Sequence, residues 1–243
     1  RRWWAVAVFF GAAAGGKHLL FAEVWHPARA ARWAVAALAP LIYLLGYTRL
    51  HLPLNRRGAD GGVLPRFGPG SALTLLRGLL YGILAGFVAL PAPSAGAWAF
   101  VPGALYTVAA LTDLLDGRLA RRRNETTRLG AKLDVEVDSM GVLVASLLAV
   151  KFGRLPAIFV AMGGLYYAYR LLLGWHRRRG RRVYPLPEDA WRSRIGGFQV
   201  GFLCVILWPV FSPPLTTLAG IVLVVPVVAS FVRDALVATG RLD

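Results

Sequence analysis

Four aspartates with helical spacing are the residues of this chain best suited to chemistry. Asp113 and Asp116 are three residues apart, and Asp134 and Asp138 are four residues apart. Each pair therefore lies on one face of a helix, about one turn apart. The four make up half of the eight aspartates in the chain and border long apolar runs, where a carboxylate is costly and usually functional. We therefore expect them to form a functional site.

The elements around the two pairs are expected to bring them together. Apolar runs predict helices over residues 97–121 and 130–152, joined by a short polar loop. Antiparallel neighbours would place the end of the first helix beside the start of the second, where four carboxylates repel one another unless cations neutralise them. Mg²⁺ or Mn²⁺ suits such oxygen ligands, and two ions can serve a phosphoryl displacement. No His or Cys stands nearby, so zinc is not expected.

The pattern around the aspartates reads D-x2-D-G-x2-A-R-x8-G-x3-D-x3-D over residues 113–138. It resembles the signature of the CDP-alcohol phosphotransferases, also called CDP-alcohol phosphatidyltransferases, which are integral membrane enzymes. The resemblance implies that two metal ions are held by Asp113, Asp116 and Asp134. It also implies that Asp138 is both a metal ligand and the general base on the acceptor hydroxyl. The structural alternative is a cluster of salt bridges with arginines.

The residues that flank the aspartates in this motif are candidates for nucleotide binding. Gly117, Ala120 and Gly130 leave the backbone open to a cytidine and its pyrophosphate, and Arg121 offers a fork of donors to a phosphate. Close packing of transmembrane helices is the alternative for the small residues. For Arg121 the alternative is a side chain that reaches from a helix end to the membrane surface.

Residues 71–77 resemble the N-x-x-T-x-x-R start of the first core helix in that family, with Ser71 departing from the pattern. Thr74 and Arg77 are therefore predicted to contact the donor nucleotide. The sequence equally allows Thr74 as a helix cap and Arg77 as a buried partner of the aspartates.

Two arginines further along the chain are candidates for acceptor binding. Arg170 lies within an apolar run close to three tyrosines. Arg194 belongs to residues 193–197, which resemble an S-x-x-G-K segment of glycerophosphate-transferring relatives. Gly197 stands in place of the lysine, which weakens the case for glycerol 3-phosphate as the acceptor.

Composition indicates a membrane protein with several crossings. The chain is 57% hydrophobic and has a mean hydropathy of +0.56, whereas soluble domains are about 45–50% apolar. We predict an all-α polytopic membrane helical bundle in which residues 1–60 form a two-helix extension and residues 61–243 form the six-helix core of the family. The eight predicted spans are 3–22, 31–50, 71–90, 97–121, 130–152, 155–177, 195–211 and 215–237.

The net charge of +16 is distributed as in a membrane protein. Lys and Arg cluster in alternate loops, which is the positive-inside pattern and places the aspartates at the cytoplasmic face of the inner (cytoplasmic) membrane. Basic segments of this kind also attract membrane lipids. No DNA- or RNA-binding pattern is present, so we expect no nucleic-acid partner. Family members are often dimers, and the resemblance therefore allows a homodimer.

The predicted function is phospholipid synthesis in the membrane. The resemblance implies transfer of a phosphatidyl or phospho-alcohol group from a CDP-linked lipid donor, CDP-diacylglycerol or its ether analogue, to a polar alcohol acceptor with release of CMP. The alternative is a cation or proton transporter that uses the same carboxylates. Transport sites usually lie near the middle of the bilayer, however, whereas these aspartates border an arginine-rich loop.

Overall fold

A computed structural model describes residues 2–24, 26–56, 62–92, 96–123, 127–186 and 190–242. Within these ranges, the side chains of residues 2, 14, 17–24, 114–123, 190 and 193 lie outside the description.

The described residues form eight α-helices and no sheet, which confirms the all-α prediction. One isolated β-bridge joins Arg56 to Val63. The helices are α1 (Arg2–Val24), α2 (Pro27–His51), α3 (Pro69–Ala85), α4 (Val101–Arg123), α5 (Arg128–Lys151), α6 (Ile158–Arg178), α7 (Ala190–Ile206) and α8 (Leu215–Ala238).

Each predicted helix has an observed counterpart, but α7 is displaced from the predicted 195–211. The helix begins at Ala190, earlier than predicted. The prediction followed hydropathy alone and therefore missed the polar first turn. The helix ends at Ile206, shortly before Pro209, because proline disfavours helical backbone in the residue that precedes it. Similarly, α3 ends at Ala85 and continues as a 3₁₀ turn over Gly86–Ala89.

Four of the helical segments among the described residues are long and apolar enough to cross a membrane. They are Pro27–Leu54, Pro69–Ala89, Ile158–Arg178 and Leu215–Ala238. These segments are consistent with a multi-pass membrane protein.

The chain divides into two compact units, Arg1–Val144 and Ala145–Asp243. In the first unit, α2 packs against α1 and α3, and α3 packs against α4. In the second unit, α8 packs against α6 and α7. The predicted boundary near residue 60 concerns an extension added to a family core, and it stays a prediction.

Three glycines let α2 approach α3 closely. They are four residues apart and therefore lie along one face of α3 and the turn that follows it. A side-chain carbon added at any of them would lie 2.3–2.4 Å from a side-chain atom of α2. The contacts, in order along the chain, are Gly78 with Leu44, Gly82 with Leu41 and Gly86 with Trp33.

Gly86→Ala is expected to destabilise the first unit. The added carbon would meet three atoms of the rigid Trp33 indole at 2.3–2.5 Å, and overpacking of this kind typically costs about 1–3 kcal/mol. Gly46→Ala on α2 is the matched control because nothing lies within 4 Å of its added carbon. We expect a lower melting temperature in detergent for Gly86→Ala only. Equal melting temperatures for the two variants would contradict this packing.

Candidate metal centre

Three of the four predicted aspartates come together in the first unit. Asp113 extends from α4, and Asp134 and Asp138 extend from α5. One carboxylate oxygen from each lies within 4.8 Å of the other two. Their side chains are 43–46% exposed, so the cluster is open to a ligand. The predicted convergence of the carboxylates is thus confirmed for three of the four aspartates of the motif.

The start of α5 is fixed by a cap at Thr127. Its buried hydroxyl accepts a hydrogen bond of 3.0 Å from the backbone N–H of Gly130. A side-chain oxygen at this position satisfies one of the N–H groups that the first helical turn leaves without a partner. The cap therefore sets where α5 begins, and the spacing of four residues then places Asp134 and Asp138 on the same face.

Arg77 of α3 supplies the positive charge at the centre of the cluster. Its side chain is 1% exposed, and its Nη1 contacts Asp113. Its Nη2 lies 2.6 Å from Asp134 and 2.9 Å from Asp138. Burial of a guanidinium is unfavourable unless it is paired and hydrogen-bonded, and these carboxylates provide the pairing. The structure thus shows the ion-paired arginine that the sequence left as an alternative, and nucleotide binding by Arg77 stays a prediction.

The cluster fits a divalent cation by the chemistry of its donors. Its ligand atoms are all carboxylate oxygens, which suit Mg²⁺ or Mn²⁺. Among the described side chains, the guanidinium of Arg77 pairs with all three carboxylates. Asp116 lies on α4, but its side chain is outside the described residues, as are the surroundings of Gly117 and the side chains of Ala120 and Arg121. A fourth carboxylate and a second ion therefore stay predictions.

Two further predicted nucleotide residues are held in helix contacts. The Thr74 hydroxyl is buried and donates to the Gly70 carbonyl at 3.1 Å. At Gly130 an added side-chain carbon would lie 2.9 Å from the Ser71 hydroxyl and 3.1 Å from that of Thr127. Gly130 thus permits a close approach between the starts of α3 and α5, which is the packing alternative. Neither observation tests nucleotide binding.

The two predicted acceptor residues belong to the second unit. Arg170 is exposed, and its guanidinium carbon lies 5.6 Å from the centre of the Tyr166 ring. Arg194 is exposed and lines a groove of about 720 Å³ with mainly apolar neighbours, Phe198 and Phe202 among them. Their roles stay predictions.

Glu136 is a residue near the site to which the sequence assigned no role. Its position between Asp134 and Asp138 predicts that it points away from them. The structure places it on α5 with no exposed surface, where it accepts a hydrogen bond from the Tyr43 hydroxyl of α2. A charged residue inside an apolar run was the available signal, since such residues are seldom buried without a partner.

Known proteins resemble this chain in sequence. The CDP-diacylglycerol–glycerol-3-phosphate 3-phosphatidyltransferase of Salmonella choleraesuis is 41% identical over 80 residues, which cover 32% of this chain and 42% of the relative. The enzyme of that name from Salmonella paratyphi A is 45% identical over 56 residues, or 23% of this chain and 31% of the relative. The Escherichia coli K12 enzyme of that name is 44% identical over 52 residues, or 21% and 29%.

The chain spans less than half the length of these curated relatives in the matched regions. No solved structure matches it. The family model for CDP-alcohol phosphatidyltransferases matches residues 70–240, which include the motif, Arg77 and the three clustered aspartates. Because that match covers more than half of the sequence, the chain belongs to the CDP-alcohol phosphatidyltransferase family.

Proposed function

We propose that this protein transfers a phosphatidyl or related phospho-alcohol group from a CDP-linked lipid to the hydroxyl of a polar alcohol, with release of CMP. The observation that carries the proposal is the convergence of Asp113, Asp134 and Asp138 in a chain of this family. Carboxylates open to ligands can hold divalent cations, and such cations would stabilise the negative charge that develops on phosphate groups during the transfer.

The proposed reaction assigns Asp138 the role of general base. Its carboxylate takes the proton of the acceptor hydroxyl, whose oxygen then bonds to the phosphorus that carries the lipid. The bond between that phosphorus and the oxygen of CMP breaks, and CMP leaves. Asp113, Asp116 and Asp134 are proposed to hold the metals with Asp138. Two bound Mg²⁺ or Mn²⁺ ions would supply stabilisation of the charge on the attacking and leaving oxygens.

The nucleotide is proposed to contact residues on the three helices that surround the cluster. Gly117, Ala120 and Arg121 follow the first aspartate pair on α4, while Gly130 precedes the second pair on α5. Thr74 and Arg77 on α3 complete this set. The Arg77 contacts with all three clustered aspartates support a further role, in which the guanidinium orders the carboxylates and limits their repulsion.

The donor is proposed to be CDP-diacylglycerol or its ether analogue. The names of the relatives include CDP-diacylglycerol, which supports this choice. We assign the acceptor only as a polar alcohol, with Arg170 and Arg194 as its candidate contacts, since Gly197 replaces the lysine of the glycerophosphate-transferring segment. We propose eight membrane crossings, of which six form the core. The positive-inside pattern then places the cluster at the cytoplasmic face, where CMP and the acceptor enter from water.

Asp138→Asn is expected to abolish catalysis without unfolding the protein. Loss of a general base typically lowers the rate by about 10²–10⁴-fold. CMP release from CDP-diacylglycerol, measured with a pool of polar alcohols, checks this. Asp234→Asn is the matched control, because Asp234 pairs with Arg192 at 2.8 Å and belongs to the second unit, whereas the candidate centre belongs to the first. Undiminished CMP release by Asp138→Asn would contradict the assignment.

Removal of divalent ions is expected to stop the reaction reversibly. After treatment with a chelator, CMP release should disappear and return with Mn²⁺ or Mg²⁺. Mn²⁺ alone should raise the melting temperature of the wild type, because a ligand that binds only the folded state stabilises it. This shift should be absent from Asp113→Asn. Full activity in the presence of the chelator would contradict a metal-dependent mechanism.

Arg77→Gln should make the protein more dependent on divalent ions for stability. Without the guanidinium, the three carboxylates repel one another, and the metal-free protein should melt at a lower temperature. The loss should be smaller than the about 3–5 kcal/mol for a broken, fully buried pair, because the aspartates are 43–46% exposed.

Mn²⁺ is then expected to raise the melting temperature more in Arg77→Gln than in the wild type. Arg192→Gln is the control, because it breaks an ion pair in the second unit and should leave the Mn²⁺ shift unchanged. A smaller Mn²⁺ shift in Arg77→Gln would show that the guanidinium helps to bind the ion rather than balancing the carboxylates.

A further inference from the structure

We propose that α2 is part of the metal centre, with Tyr43 as a positioning residue that holds Asp134 and Asp138 in place through Glu136. This inference rests on the proposed function, because it assumes that the aspartates bind divalent cations. It gives a role to a helix that lies outside residues 70–240, the part of the chain that matches the family.

Tyr43 of α2 contacts Glu136 of α5. The Tyr43 hydroxyl donates to Oε1 of Glu136, which has no exposed surface. Glu136 is two residues from each of the clustered aspartates of α5. Two residues correspond to just over half a helical turn, so its side chain leaves α5 on the side opposite to theirs. Helix α5 is therefore held on both sides, by Arg77 on one and by Tyr43 on the other.

Helix α2, which carries Tyr43, packs against α3. Leu41 and Leu44 flank Tyr43 along α2, and each has at most 1% of its surface exposed. They pack onto Gly82 and Gly78, respectively. Gly78 directly follows Arg77, and its added carbon would lie 3.4 Å from Val137 of α5. Helices α2, α3 and α5 thus form a closed set of contacts, and Tyr43 is fixed relative to the arginine that pairs with the aspartates.

The size of the effect follows from helix geometry. Side-chain atoms lie about 5–6 Å from the axis of an α-helix, so a rotation of α5 by about 10° would move a carboxylate by about 1 Å. Metal sites tolerate deviations of about 0.2 Å in ligand distance. A contact that prevents a small rotation of α5 therefore has a large influence on the affinity of the aspartates for a cation.

Tyr43→Phe tests this in the full chain purified in detergent. The variant keeps the ring and removes only the hydroxyl. We expect its dissociation constant for Mn²⁺, measured by electron paramagnetic resonance of the free ion without substrate, to rise by about 10-fold, the lower end of the typical effect of removing a group that orients metal ligands. Tyr184→Phe is the matched control, since Tyr184 is similarly exposed (49% against 41%) and lies in the second unit. Its dissociation constant should stay within twofold of the wild type.

The Glu136→Met background shows whether the effect passes through Glu136. Methionine cannot accept the Tyr43 hydrogen bond as a carboxylate does, so adding Tyr43→Phe to it should leave Mn²⁺ affinity unchanged. The same loss of affinity in both backgrounds would overturn the proposal. So would a dissociation constant for Tyr43→Phe within twofold of the wild type, even with a lower melting temperature, because the contact would then serve stability alone.

Hydrogen exchange gives a second measurement that does not depend on the Glu136→Met variant. Backbone amides of residues 134–138 should exchange faster in metal-free Tyr43→Phe than in the wild type, and unchanged exchange would overturn the proposal. Failure of the wild type to bind Mn²⁺ would instead remove the proposed function itself. Normal binding by the wild type together with normal binding by Tyr43→Phe would remove only the role of α2.

Discussion

The first unit depends on one buried guanidinium that faces three carboxylates. Arg77 is almost inaccessible to solvent, yet it contacts Asp113 on α4 and both Asp134 and Asp138 on α5. A buried arginine needs anionic partners, and converging aspartates need a cation. The arginine and the aspartates therefore stabilise each other, and their contacts join α3 to both helices that carry the motif. The carboxylate oxygens of this ion-pair cluster are ligands of the kind that Mg²⁺ and Mn²⁺ prefer.

Close helix packing places Arg77 at this depth. Because Gly78 and Gly82 lack side chains, α3 packs closely against leucines of α2, and the Trp33 indole packs against Gly86. On α5, Gly130 lies close to the Ser71 hydroxyl of α3. Small residues at such positions let transmembrane helices approach, which increases van der Waals contact where lipid gives no hydrophobic driving force. The positions of the aspartates therefore depend on glycines that carry no chemistry of their own.

Much of this architecture could be predicted because it is local in sequence. Apolar runs predicted eight helices, and the spacing of Asp134 and Asp138 predicted a shared face. Predicted helix ends were less accurate where a polar first turn begins α7 and where a proline follows it. The Tyr43–Glu136 contact joins residues 93 positions apart, and neither residue occupies a fixed position of a motif. Such a pair depends on helix packing, which the periodicity of a single sequence does not specify.

The proposal that these aspartates bind divalent cations is tested most directly by locating bound manganese with anomalous X-ray diffraction from crystals of the protein. We predict a peak between α4 and α5, within about 2.5 Å of oxygens from Asp113, Asp134 and Asp138. We also expect the Arg77 guanidinium to shift away from at least one of these carboxylates as the ion takes its place. A manganese peak elsewhere would contradict the proposed metal centre. So would an Arg77 guanidinium that remains paired with all three carboxylates at saturating Mn²⁺.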